Sequence, residues 1–175
     1  MVDPLSTILE KMSRLTQLRS LQLRFSQSKS RNLMGSLTFV IPKFSKLTRI
    51  DLDFSWTTIR DSGLANLFLC FQNLKELSDI SLNLARCDIS VTQTGEPVSR
   101  ALACLENPSR IRKLSIILSE NLKDSDIFPI AQALGRFTSL KLLSFQLPFQ
   151  SFDITDQGIS ELGPPLENLV SLSSL

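Results

Sequence analysis

The chain has 175 residues, 42% hydrophobic and 21% charged, with a formal net charge of +2 and neither histidine nor tyrosine. That apolar content suits a folded domain and excludes a disordered tail. Acids and bases mixed in near balance exclude a dedicated nucleic-acid binder, which carries a basic stripe.

The chain opens on Val2-Asp3-Pro4, a cap followed by proline as in the first turn of a helix, and Leu5, Ile8 and Met12 continue an apolar stripe of helical spacing. Leu21, Leu23 and Phe25 then alternate with Ser20, Gln22 and Arg24, the period of a strand with one buried face. Met34, Leu37 and Ile41 return to helical spacing, and Ile50, Leu52 and Phe54 alternate with Arg49, Asp51 and Asp53. Asp61-Ser62-Gly63 starts the next helix, marked by Leu64, Leu67 and Phe71, and Ile80, Leu82 and Leu84 form the next strand. A longer loop over Asp88–Gly95, rich in Thr and Ser, leads to a helix opened by Glu96-Pro97 and marked by Val98, Ala101 and Leu105. Leu114, Ile116 and Leu118 are the fourth strand; Asp124 and Asp126 precede a helix over Ile127, Ile130 and Leu134, with Pro129 tolerable only in its first turn. Leu143, Phe145 and Leu147 are the fifth strand, Asp156 precedes Ile159 and Leu162, and Gly163-Pro164-Pro165 ends the last helix early.

These elements repeat. The frame L-x-x-L-x-x-L-x-x-L-x-L-x-L fits from Met12, Ile41, Phe71, Leu105 and Leu134, with a partial copy from Leu166. Its period is roughly 30 residues, the length of one strand–helix unit. Of its 34 positions 33 are apolar, Pro108 being the exception, where the composition would give about 14, so chance does not explain the pattern. One strand plus one helix cannot bury its own apolar side, so each unit must pack on its neighbours. Parallel strands joined by right-handed helical crossovers are the physical solution.

The frame resembles a leucine-rich repeat of the ribonuclease-inhibitor-like class over essentially the whole chain. The resemblance implies an α/β fold: a right-handed solenoid or horseshoe with a parallel sheet on the concave side and helices on the convex side. Residues 1–175 then form a single array of about five repeats with an incomplete sixth. With no polar cap after Leu175, the chain reads as part of a longer protein or as an end covered by a partner. Family repeats place Asn or Cys after the strand; here Ser28, Thr57, Cys87, Asn121 and Gln150 stand there, so either hydroxyls bridge the turns or the turns are looser.

The sequence holds no site for chemistry. Cys70, Cys87 and Cys104 form no C-x-x-C pair, and they fit a reducing, cytoplasmic or nuclear compartment. No run reaches the ~18 apolar residues of a membrane span, and the N-terminus lacks the basic start and apolar run of a signal peptide. Asp61-x-Gly63 and Asp156-x-Gly158 read as helix caps. Asp124-Ser125-Asp126 lacks the glycine and glutamate of a calcium loop, and no phosphate-cradling glycine loop exists. Without histidine the commonest general base and zinc ligand are missing. We therefore expect no enzyme, cofactor, metal or small-molecule substrate. The expectation is a protein–protein interaction scaffold binding through the concave sheet; the alternative is a regulatory module of a larger GTPase-activating, kinase or ubiquitin-ligase assembly, with catalysis elsewhere. The outward strand positions supply the expected contacts: an acidic spot of Asp51, Asp53 and Asp79 flanked by Arg24, Arg49 and Lys113, with Asn83 and Gln146, a small apolar patch of Ile117 and Leu142, and Trp56 at the rim. A balanced, merely solvated face is the plain reading of the same residues.

Overall fold

A computed structural model describes residues 4–28, 30, 32–90, 95–105, 108–120, 122–147 and 154–175. Helix α1 (Pro4–Met12) precedes strand β1 (Ser20–Arg24); α2 (Leu33–Val40), extended by a 3₁₀ turn Ile41–Lys43, precedes β2 (Arg49–Asp53). After β3 (Thr58–Arg60) come α3 (Asp61–Phe71) and β4 (Asp79–Asn83); after β5 (Asp88–Ser90) come α4 (Gly95–Ala103), a 3₁₀ turn Pro108–Arg110 and β6 (Lys113–Ile117). The chain continues through α5 (Asp124–Leu134), β7 (Leu142–Gln146), α6 (Asp156–Ser160) and α7 (Gly163–Leu166).

Five strands form one sheet in the order β1-β2-β4-β6-β7, every pair parallel. The strands begin with the pairs Ser20↔Arg49, Arg49↔Asp79, Asp79↔Lys113 and Lys113↔Leu142. Each pair is offset along the chain by the same step that separates the matching copies of the apolar frame, Met12 to Ile41, Ile41 to Phe71, Phe71 to Leu105 and Leu105 to Leu134. The uneven steps of the frame are thus the uneven steps of the register. A one-residue slip would turn every buried leucine outward, which is why the register follows the pattern. Leu142 also bridges Ser174 in parallel, again the step from Leu134 to Leu166. The core lies between this sheet and the helices: Leu37, Leu47, Ile50, Phe54, Leu64, Leu67, Leu74, Leu84, Leu114, Ile116, Ile130 and Leu140 are fully enclosed. The architecture is α/β with a parallel sheet and helices.

Along the chain, β3 stands between β2 and α3, and β5 between β4 and α4. These two short strands pair in parallel as a second sheet, with Ile59 buried. Sequence periodicity does not reveal it, because such short strands carry too few alternations. Part of the loop expected over Asp88–Gly95 is therefore β5, and residues 91–94 lie outside the described residues. The expected cap at Asp3 also lies outside them, and so do Asn121 and Gln150.

The turns after the strands are tied by hydroxyls. The Thr57 hydroxyl donates to the Phe54 carbonyl at 2.6 Å and lies 3.6 Å from Cys87 Sγ, and Ser119 Oγ donates to the Cys87 carbonyl at 2.8 Å. Thr57, Cys87 and Ser119 are all buried, so these bonds satisfy groups that water does not reach.

Three helix expectations change. Thr155, just before Asp156, caps α6 by accepting from the Gln157 amide. Helix α5 already begins at Asp124, which puts Pro129 in its second turn. Proline there leaves the Ser125 carbonyl without its helical donor, and Ser125 is exposed, where solvent can serve it. Finally, α6 ends at Ser160, and Gly163-Pro164-Pro165 then opens the separate short helix α7, since proline suits a first turn.

Candidate partner-binding surface

The side chains that alternate outward from the main sheet stand in three rows. One row reads Ser20, Arg49, Asp79, Lys113, Leu142; the next Gln22, Asp51, Ser81, Ser115, Ser144; the third Arg24, Asp53, Asn83, Ile117, Gln146. Neighbours within a row are one strand apart, about 4.8 Å. Arg24, Arg49, Lys113 and Gln146 are exposed, while Asp51, Asp53, Asp79, Asn83, Ile117 and Leu142 are half-buried.

This register divides the expected acidic spot among three rows. Asp79 stands between Arg49 and Lys113, an alternation of sign that cancels locally. Asp51 stands beside Gln22, whose Nε2 donates to Asp51 Oδ2 at 2.9 Å, and Asp53 stands between Arg24 and Asn83. Ile117 and Leu142 do not adjoin: Ile117 faces Gln146 and Leu142 faces Lys113, at opposite ends of adjacent strands. The acidic residues and the apolar pair are therefore spread along the sheet face rather than gathered in one row.

Two of the outward residues also build the backbone. Asp53 Oδ1 accepts from the Ser55 amide at 2.8 Å, and Asn83 Oδ1 accepts from the Ala85 amide at 3.0 Å. These are Asx turns, in which a short polar side chain turns the chain at the end of a strand. Each leads into a tighter turn: Thr57 N donates to Phe54 O at 3.1 Å, and Cys87 N to Leu84 O at 3.0 Å.

Ser28 N donates likewise to Phe25 O at 2.8 Å, and the third residue of each of the three turns is left-handed without being glycine: Gln27 (φ 61°), Trp56 (φ 59°) and Arg86 (φ 53°). A non-glycine residue in this region costs about 1–2 kcal/mol. Bonds between neighbouring turns hold it there: Gln27 N donates to Ser55 O, and Trp56 N to Ala85 O, each at 3.1 Å. The side chains of the column project at the rim. Trp56 is 54% exposed, with the Arg86 guanidinium 4.4 Å from its ring centroid, and Arg86 Nε donates to Glu120 Oε1 at 2.8 Å. The result is an aromatic–cation–anion line beside the third row of the sheet.

Of the predicted residues, the structure places Asp53, Asn83 and Trp56 on one strand-end rim and adds Arg86 and Glu120. The signal for those two was the repeat itself: Trp56, Arg86 and Glu120 share one column, separated by the same steps as Ile41, Phe71 and Leu105 of the frame. Among the described residues no group of three or more His, Cys, Asp or Glu is placed to hold a metal ion. No helix among them is long and apolar enough to cross a membrane.

No family model and no curated protein matches the sequence. Solved structures do. The chain is similar to a structure titled leiomodin-1 actin-binding site 2, with a TM-score of 0.69 at 12% identity, covering 98% of this chain and 90% of that one. It is also similar to a tropomodulin C-terminal domain from Caenorhabditis elegans, with a TM-score of 0.55 at 14% identity, covering 94% and 93%. These likenesses correct the family expectation: the matching folds are those of a leiomodin and a tropomodulin domain, and the assignment to ribonuclease-inhibitor-like leucine-rich repeats falls. The apolar frame reports which positions are buried. Burial at that spacing fits any stack of parallel strand–helix units, so it does not select a family.

Proposed function

We propose that this chain is a non-catalytic protein-interaction module whose contact surface is the outward face of the five-stranded sheet together with the Trp56–Arg86–Glu120 rim. The observation that carries the reading is Trp56, more than half exposed yet held by a left-handed backbone and a stacked guanidinium. Tryptophan and arginine dominate binding hot spots. Side chains already immobilised in the free protein lose less entropy on binding. The outward rows of Arg49, Asp79 and Lys113 and of Arg24 and Asp53 would add polar contacts around that anchor. In this reading the strand–helix units stack as an open, right-handed curved array with the sheet concave and the helices convex. The unbroken parallel order β1-β2-β4-β6-β7, with matching positions of neighbouring units paired, supports it. Three free thiols fit a reducing, cytoplasmic setting.

The leiomodin-1 structure is titled an actin-binding site, so actin is the first partner to test. The experiment measures binding of monomeric and filamentous actin to the immobilised protein, beside quantitative capture from lysate, for the wild type, Trp56→Ala and Arg86→Glu. Both variants should keep the far-UV circular dichroism and lose at least about tenfold in affinity for any specific partner. If neither actin nor any captured protein distinguishes the wild type from the variants, the reading fails.

A further inference from the structure

The last helical layer leaves a notch in the outer face of the molecule. At its two ends α6 and α7 press on α5 through glycines: a Cβ on Gly158 would lie 2.1 Å from Asp124 Oδ1, and one on Gly135 would lie 3.0 Å from the Pro165 carbonyl oxygen. Between these contacts the helix breaks, because α6 stops at Ser160 and α7 starts only at Gly163. The gap is an open groove of about 530 Å³ whose lining includes Phe128, Gln132, Arg136, Glu161, Pro165 and Asn168. It continues into one of about 340 Å³ that reaches Asp124 and shares Phe128 and Glu161.

Phe128 shows what is missing. The matching positions of the two preceding helices, Ala65 and Ser99, are 8% and 9% exposed, with α4 and α5 respectively as the next helix. Phe128 occupies the same column with only the short helices α6 and α7 after it, and it is 45% exposed. In α3 and α4 this column is thus covered, whereas in α5 it stands open. The lining carries one cation, Arg136, against the carboxylates of Glu161 and Asp124. The Arg136 guanidinium is directed to the carbonyls of Ala103 and Leu105 at 2.9 and 3.4 Å. Asp124 accepts from the Thr155 amide and hydroxyl and remains anionic, and Glu161 makes no ion pair or hydrogen bond through its side chain among the described residues. A partner that fills the notch therefore meets an aromatic ring flanked by two carboxylates.

We propose that this notch is a second docking site, separate from the sheet face, for a short amphipathic helix of a partner protein. That helix presents an apolar side chain to Phe128 and a lysine or arginine to Glu161 and Asp124, and so completes the layer that α6 and α7 leave broken. Burial of the phenyl ring supplies the attraction, and the carboxylates select a basic over an acidic helix.

The test uses two fluorescein-labelled helical peptides of equal length and apolar spacing, one of leucine and lysine and one of leucine and glutamate. Anisotropy is read on the whole chain as wild type, Phe128→Ser, Glu161→Lys and Trp56→Ala. The expected result is binding of the lysine peptide, weakened at least about tenfold by Phe128→Ser and by Glu161→Lys and unchanged by Trp56→Ala. The glutamate peptide should bind the wild type more weakly and improve on Glu161→Lys. The proposal is overturned if the lysine peptide does not bind, or if it binds the wild type and Glu161→Lys alike. It is equally overturned if sedimentation shows the wild type self-associating and Phe128→Ser abolishing it, since the occupant is then a second copy. Glu161→Lys changes a surface charge only, so it decides the matter even if Phe128→Ser loosens the fold.

Discussion

Phe25 and Phe54 offer a direct measure of how strongly neighbouring strand–helix units depend on each other. Each is the first residue after its strand, and their rings stack with centroids 5.6 Å apart and planes inclined by 15°. Phe54 is fully enclosed and Phe25 nearly so, at 0% and 7% exposure. Truncating a buried phenylalanine removes its transfer energy and leaves a cavity, so Phe54→Ala should cost about 3–5 kcal/mol. Phe25→Ala should cost less, because Phe25 directly follows the edge strand β1, which has a strand neighbour on one side only among the described residues. The stacked pair carries about 0.5–1.5 kcal/mol beyond area burial. That part is lost only once, so the double variant should be less destabilised than the sum of the single ones by that amount. Urea unfolding of the four proteins at one temperature, with midpoint and slope both fitted, reads the coupling. Additivity within about 0.3 kcal/mol would refute it, showing that the two units do not meet through these rings.

Two further outcomes are expected. The Asp124 carboxyl is held below its ordinary range by the Thr155 hydroxyl, and further by the Thr155 and Gly158 backbone. A lowered folded-state value means that the stabilisation is present above the ordinary carboxylate range and is lost as pH falls through the lowered one. Melting followed from neutral pH downward should therefore show the wild type converging on Asp124→Asn in acid, and a constant gap between them would contradict this role. Burial pushes the Cys87 thiol up, and its side chain is enclosed, whereas Cys70 and Cys104 are half-exposed. Iodoacetamide should label Cys87 only after unfolding while labelling at least one of the others in the native protein; native-state labelling of Cys87 would show that its turn opens.

Much of the fold is legible in the chain. Ile50, Leu52 and Phe54 recur as Ile80, Leu82 and Leu84 and again as Leu114, Ile116 and Leu118, and that recurrence determines which face of each strand is buried and how far apart paired residues lie. Burial is a one-residue property repeated at a fixed period, so sequence alone carries it. It determined the parallel α/β architecture and the outward positions of Arg49, Asp51, Asp53 and Asp79. It did not determine the family, because leucines at buried positions serve many stacks equally.

Tertiary structure decided what those outward residues do. The register placed Asp79 between two cations and parted Ile117 from Leu142, which strand alternation cannot distinguish. The turns decided that Asp53 and Asn83 hold backbone amides, and that Trp56 lies under Arg86 of the neighbouring unit. The break between α6 and α7 decided that Phe128, apolar and in a helix like many others, stands half open beside Glu161. The register, the rim and the notch each depend on which neighbour arrives across a strand or helix pair. That is a property of packing between units, and no single unit's sequence contains it.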